Sequence, residues 1–345
     1  MKRSLIILTC YDDFFGQQVE AWVSLDMEKL KATFAGLGYP PRVYSYHQLA
    51  NNPIDIENSY IVYSGNPDRE YYMYAEDILL MLLKHNNILI PSFDVNRCHE
   101  NKGYQELYKR QVGIEDPRSI YLGSIRELHN YKPGFPLVFK LPFGAASRHV
   151  RLIKSRKKLI KHIKSCDTLW RNHLKRFLKE RVKKYLLPFR YVREYDEYFL
   201  KQDVRHILQP YIPNLENDYK VLVFFDKYYV FKRLVRRRDF RASGSGKFLF
   251  ETPPDALLDY AEEVYDQLDL PIAGLDICFN GKMHYLLEFQ GIHIGPIGIV
   301  RSTGFYNRDK NRWQFTEERP DLEREYASAV VKYIRKKYDH ENPDH

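Results

Sequence analysis

The chain has 345 residues, 44% hydrophobic and 29% charged, an ordinary make-up for a soluble globular protein with room for two or three domains. No run of about 18 apolar residues occurs, which excludes a membrane-spanning helix. The net charge of +9 is local: residues 151–190 hold fifteen Lys or Arg against Asp167 and Glu180, a sum of +13, so the rest of the chain sums to −4. Cys10, Cys98, Cys166 and Cys278 lack metal-ligand spacing and a disulfide framework, which points to a reducing, cytoplasmic setting.

In chain order, residues 4–10 read as a strand. The apolar run is too short for the core of a signal peptide and meets Asp12 and Asp13. Met27, Leu30, Phe34 and Leu37 fall on one face of a helix over 25–37, with Ser24 as the expected N-cap. Strands at 42–46 and 59–63, a helix at 69–85, a strand at 87–91 and a helix at 99–114 follow. This alternation predicts an open α/β sheet. A new unit is expected near Pro117. It starts with a strand at 137–140, a small-residue turn at Gly144–Ser147, a strand at 149–153 and basic helical sequence over 156–187. Residues 204–212 are extended, 221–225 and 228–233 form a strand pair, 241–247 is a Gly/Ser loop, and 254–268 is a helix. The C-terminal helix is expected over 322–338.

Residues 272–290 carry the chemistry. Two apolar runs, Ile272–Phe279 and His284–Phe289, flank Asn280-Gly281, a strong hairpin signal. Each run is broken by a carboxylate, Asp276 or Glu288. Gln290 shares the face of Glu288, because strand side chains alternate. Two carboxylates and an amide oxygen make a hard-oxygen site suited to Mg²⁺.

The order of these elements resembles the ATP-grasp superfamily, over roughly residues 100–300 and, with the preceding region, nearly the whole chain. The resemblance implies an α/β (α+β) fold: an N-terminal open α/β domain at 1–115, an ATP-grasp lid subdomain with a basic helical insert at 116–208, and a C-terminal subdomain with the Mg²⁺ site at 209–345, with ATP between the two subdomains. The family's metal motif is an acid on one strand and Glu-x-Asn on the next. Asp276 and Glu288 match it, and Gln290 replaces the Asn.

The same resemblance implies that Lys140, before the small-residue loop holding Ser147, and Lys102 contact phosphates. Gln209, Tyr211 and Ile212 match the hinge beside adenine. Asp218, or else Glu216, is the expected ribose carboxylate in the loop that follows. Lys220 and Arg233 are placed for the transferring phosphate. Arg241 holds the acyl phosphate or carboxylate, in a loop where Ser243 replaces an Asn. His293 is a candidate acceptor contact.

The expected function is an ATP- and Mg²⁺-dependent ligase that activates a carboxylate as an acyl phosphate and joins it to an amine. Two alternatives stay open: a sugar or polyol kinase on the same scaffold, and a non-catalytic nucleotide- or polyanion-binding protein. Residues 169–187 read as an amphipathic helix with an apolar stripe of Leu174, Phe177, Leu178, Val182, Tyr185 and Leu186. It points to an anionic glycan, lipid-linked substrate or membrane surface, with a location peripheral to the inner face of the membrane, rather than to nucleic acid.

Overall fold

The computed structural model describes residues 3–16, 18–20, 22–52, 54–66, 68–114, 117–144, 149–166, 174–192, 194, 204–213, 215–235 and 247–339. The chain divides into two compact units, Met1–Asp116 with Pro213–His345, and Pro117–Ile212.

The first unit opens with β1 (Ser4–Thr9), α1 (Met27–Gly36), β2 (Pro41–Ser45), α2 (Tyr46–Asn51), β3 (Ser59–Tyr63), α3 (Arg69–Leu82), β4 (Ile88–Ile90), α4 (Phe93–Cys98) and α5 (Lys102–Gln111). The four strands form a parallel sheet in the order β2-β1-β3-β4. β3 is buried at every position, which is why it carries no charged residue. The helix over 25–37 begins at Met27 because Asp26, not Ser24, accepts the Lys29 amide at 3.0 Å. Ser24 Oγ instead accepts the Phe15 amide at 2.9 Å.

The second unit contains β5 (Ile120–Leu122), β6 (Leu137–Lys140), β7 (Val150–Ile153), α6 (Arg156–Cys166), α7 (Leu174–Leu186) and β8 (His206–Pro210). Its antiparallel sheet runs β5-β8-β6-β7. Leu159 and Ile163 of α6 join a core with Leu122, Leu137, Phe139, Ile153 and Leu208.

The chain then completes the first unit with β9 (Asn217–Phe224), β10 (Lys227–Leu234), β11 (Phe248–Leu249), α8 (Asp255–Leu268), β12 (Ile272–Phe279), β13 (His284–Gln290), α9 (Ile297–Arg301), β14 (Gly304–Asp309), β15 (Arg312–Glu317) and α10 (Leu322–Lys337). The sheet runs β13-β12-β9-β10-β14-β15, with β11 paired to β10. The β14–β15 hairpin is absent from the sequence reading.

The N-terminal segment, expected as a domain of its own, shares two cores with this C-terminal segment. Ile6, Leu8, Ile61 and Tyr63 pack in one core with Val221, Val223, Leu275 and α8. Leu5, Ile7, Tyr60 and Val62 pack in the other with Leu222, Phe224, α1 and α10. Strand alternation sends successive residues of both sheets to opposite cores.

Candidate active site

The β12–β13 hairpin closes with a four-residue loop, Asn280–Met283. Asn280 Oδ1 accepts the amides of Lys282 and Met283 at 2.9 and 3.0 Å, and Gly281 takes φ +91°. In the ladder Asp276 lies opposite Glu288 on one side and opposite Lys220 of β9 on the other. The register slips between Asp276 and Ile277, leaving Leu287 as an extra residue. That bulge switches the parity of β13, so Leu286 and Phe289, three apart, both enter one core. Glu288 and Gln290 are left on the opposite face with Asp276.

Each acid has a cation on it. Lys220 Nζ lies 2.9 Å from Asp276 Oδ1 and also donates to Gln290 Oε1. Arg233 Nη2 lies 3.0 Å from Asp276 Oδ2. Arg233 also donates to both oxygens of Asp218, at 2.6 and 2.8 Å. Gln290 Nε2 donates to Glu288 Oε1 at 3.4 Å, and Lys102 Nζ lies 3.2 Å from that same oxygen. Three carboxylates (Asp218, Asp276, Glu288) thus meet three cations (Lys102, Lys220, Arg233).

Lys102 arrives there because α5 runs along the open edge of β13. Gln105 Oε1 accepts the Phe289 amide at 3.4 Å, and Lys109 Nζ donates to the Leu286 carbonyl at 3.2 Å. Residues 102, 105 and 109 are spaced three and four apart, so one helix face serves the side chain and the backbone of the edge strand.

Gly274 makes the crossing of Lys220 to Gln290 possible. A Cβ there would lie 3.0 Å from Lys220 Nζ, 3.1 Å from Gln290 Oε1 and 3.1 Å from the Ile294 carbonyl. Sequence reasoning missed this residue; its register position, opposite Gln290, is the signal that finds it.

Burial alone would raise the Asp276 carboxyl, but Arg233 and Lys220 overcome it and hold the group at about 2. Asp218 is raised to about 6 by burial, against the pull of Arg233 and with the neighbouring Asp276 adding to the rise. Burial lowers His99 to about 4, and His293 and Lys102 beside it act in the same direction. His293 is also lowered by burial, although its Nε2 contacts the Gln18 carbonyl at 3.0 Å.

The donor set suits a divalent cation. Two carboxylates and an amide oxygen share one face of adjacent strands, and ammonium groups already converge on all three.

No family model matches the sequence, and no curated protein matches it. Solved structures do match over nearly the whole chain. A RimK domain ATP-grasp protein from Sphaerobacter thermophilus DSM 20745 aligns at TM-score 0.52 and 10% identity, covering 96% of this chain and 99% of that one. D-cycloserine synthetase DcsG aligns at 0.52 and 13%, covering 96% and 99%. The purK N5-carboxyaminoimidazole ribonucleotide synthetase, in its ADP complex, aligns at 0.54 and 12%, covering 95% and 77%. The chain has an ATP-grasp fold.

Within the ATP-grasp fold, the sequence-predicted site residues divide between the two units. Lys102, Asp218, Arg233, Asp276, Glu288 and Gln290 come together in the first unit, joined by Lys220. Asp218 departs from its expected place. It lies on β9, buried, with both oxygens on Arg233, rather than in a loop open to a ribose. Glu216 is exposed beside it, just before β9. In the second unit Lys140 ends β6, and Gln209 pairs with Val138 on β8. The Gln209 side chain is buried, and its Nε2 has no hydrogen-bond partner among the described residues. Tyr211 and Ile212 follow directly. Ser147, Arg241 and Ser243 lie outside the described residues.

Proposed function

We propose that the protein is an ATP- and Mg²⁺-dependent ligase that phosphorylates a carboxylate and joins the acyl phosphate to an amine. The observation that carries this reading is the row Lys220–Asp276–Glu288 across three neighbouring strands, with Gln290 one pleat away. Asp276, Glu288 and Gln290 would hold Mg²⁺, which supplies charge neutralisation at phosphate oxygens. Lys220 and Lys102 now neutralise those carboxylates. Both lysines would stand beside a metal held there, where an ammonium would serve phosphate oxygens as a compact point charge.

Lys140 and the loop holding Ser147 are proposed as the phosphate contacts of the second unit. Gln209, Tyr211 and Ile212 are proposed as the adenine hinge. Gln209 supports this with a buried amide nitrogen that lacks a hydrogen-bond partner among the described residues. Glu216 takes the ribose role from Asp218, whose oxygens are committed to Arg233. Arg233 then acts chiefly by fixing Asp276, and Arg241 steers the carboxylate. The chain's work is alignment and charge rather than covalent catalysis. The basic segment 151–190 supports an anionic substrate, a glycan or lipid-linked molecule.

The test is trapping with hydroxylamine. The protein is incubated with ATP, Mg²⁺ and the standard amino acids as carboxylate donors. Hydroxamate together with ADP and phosphate is expected, and it is lost in Glu288→Gln. A phosphorylated product without free phosphate would make the protein a kinase. Mg²⁺-dependent ADP binding unchanged in Glu288→Gln would remove the metal assignment.

A further inference from the structure

The second unit contains two basic amphipathic helices that treat their apolar stripes in opposite ways. In α6, Leu159 and Ile163 are fully enclosed in the core of the unit. In α7 and the turn after it the apolar residues lie open: Tyr185 is 67% exposed, Leu186 72% and Phe189 77%, with Leu178 and Val182 about half exposed. Residues 178, 182, 185 and 186 are spaced four, three and one apart, which sets them on one stripe of the helix.

Cations border this stripe. The α7 sequence LKRFLKERVKKYL has six Lys or Arg against one Glu. Arg190 lies 5.5 Å from the centre of the Phe189 ring, and Lys184 Nζ lies 5.8 and 5.7 Å from those of Tyr185 and Tyr191. Arg181 donates to the Tyr185 hydroxyl at 3.5 Å.

We propose that α7 and the Pro188–Arg190 turn form a docking surface for an anionic lipid bilayer, lying in its interface with Leu186 and Phe189 inserted. The surface belongs to the second unit and goes beyond the ligase reading. An exposed apolar stripe edged by long basic side chains matches a bilayer interface. There acyl chains take the stripe, and anionic headgroups take the cations. A second copy of this chain fits poorly, because facing helices would bring Lys179, Arg181, Lys183 and Lys184 against their own copies. A nucleic acid offers charge but leaves Leu178, Val182 and Leu186 in water. No helix among the described residues is long and apolar enough to cross a membrane, so the contact is one of surface insertion.

The experiment uses the full chain without nucleotide. Co-sedimentation is measured with vesicles of phosphatidylcholine alone and of phosphatidylcholine with phosphatidylglycerol in equal parts. Binding to the anionic vesicles, weak binding to the neutral ones and partial loss at high salt are expected. Leu186→Ser with Phe189→Ser keeps the charge and is expected to weaken binding by at least about tenfold. Both residues are exposed, so the thermal melt is expected to stay in place. Phe189→Trp is expected to shift its emission to the blue on anionic vesicles only. No sedimentation with anionic vesicles, undiminished binding of the double Ser variant, or retention on a polynucleotide with none on vesicles would overturn the proposal.

Discussion

Arg233 on β10 donates to both oxygens of Asp218, its direct ladder partner on β9, and still reaches Asp276 on the next strand. Two buried carboxylates therefore share one guanidinium, which two acids hold above its ordinary value against the effect of burial. Removing either end of such a pair leaves a desolvated charge. Arg233→Met, which strands Asp218 and leaves Asp276 with Lys220 alone, is expected to cost about 4 kcal/mol, and Asp218→Asn less. Urea midpoints at neutral pH check this ranking. An Asp218→Asn variant as unstable as Arg233→Met would show that Asp276 does not share the arginine.

Gly274 separates a functional from a structural glycine. Its missing Cβ faces the movable ends of Lys220 and Gln290 and one backbone carbonyl. Gly274→Ala is expected to cost about 1 kcal/mol of stability and to weaken Mg²⁺-dependent ADP binding by about tenfold. At Gly298 an added Cβ would meet the Phe231 ring at 2.2 Å. Gly298→Ala is expected to cost about 2 kcal/mol with ADP affinity unchanged. Calorimetric titration and thermal melts of the two variants give the comparison.

The hairpin was legible because its acids interrupt apolar runs and its turn contains Asn280-Gly281. The β14–β15 hairpin was not. Its two turn residues, Lys310 and Asn311, take φ +45° and +68° without a glycine, and most of β15 is exposed. Asp276 and Glu288 could be singled out as charges inside apolar runs, and Lys102 and Arg233 through the family resemblance. The commitment of Asp218 to Arg233 could not, because it depends on the β9–β10 register and on burial. The two shared cores were likewise hidden. Alternation shows that Leu5 and Ile6 face opposite ways, but not which distant strand each one meets.

His99 gives the stability a pH dependence of known sign. Burial lowers the folded value to about 4 from the ordinary 6.5. Between those values the unfolded chain binds a proton that the folded chain excludes, so stability falls as pH drops through that window, by up to about 3 kcal/mol. His293, also lowered, acts in the same direction. Asp276, held at about 2 against an ordinary 3.8, adds its loss only below that range. Asp218, raised to about 6, works oppositely between about 6 and 3.8. His99→Gln isolates the histidine. Its urea midpoint is expected to fall less steeply than wild type from pH 6.5 to 4, and parallel slopes would refute the buried neutral imidazole.

Lys109 tests how the edge of β13 is held beside the cluster. It is 1% exposed, donates to the Leu286 carbonyl at 3.2 Å, and lies 3.6 Å from Glu106 Oε1, itself buried. Lys109→Met preserves the stem but removes the charge facing Glu106 and the donor facing Leu286. The expected loss is about 3 kcal/mol, most of it from the stranded carboxylate. Adding Glu106→Gln neutralises that carboxylate, so the double variant is expected to recover about half of the loss. Double-mutant-cycle stabilities measure the coupling. Amide exchange near Leu286 is expected to quicken in both variants, because the carbonyl stays unserved whether or not Glu106 is charged. Full recovery of stability with exchange unchanged would mean that Lys109 serves Glu106 alone, and that Gln105 by itself secures the edge strand next to Glu288.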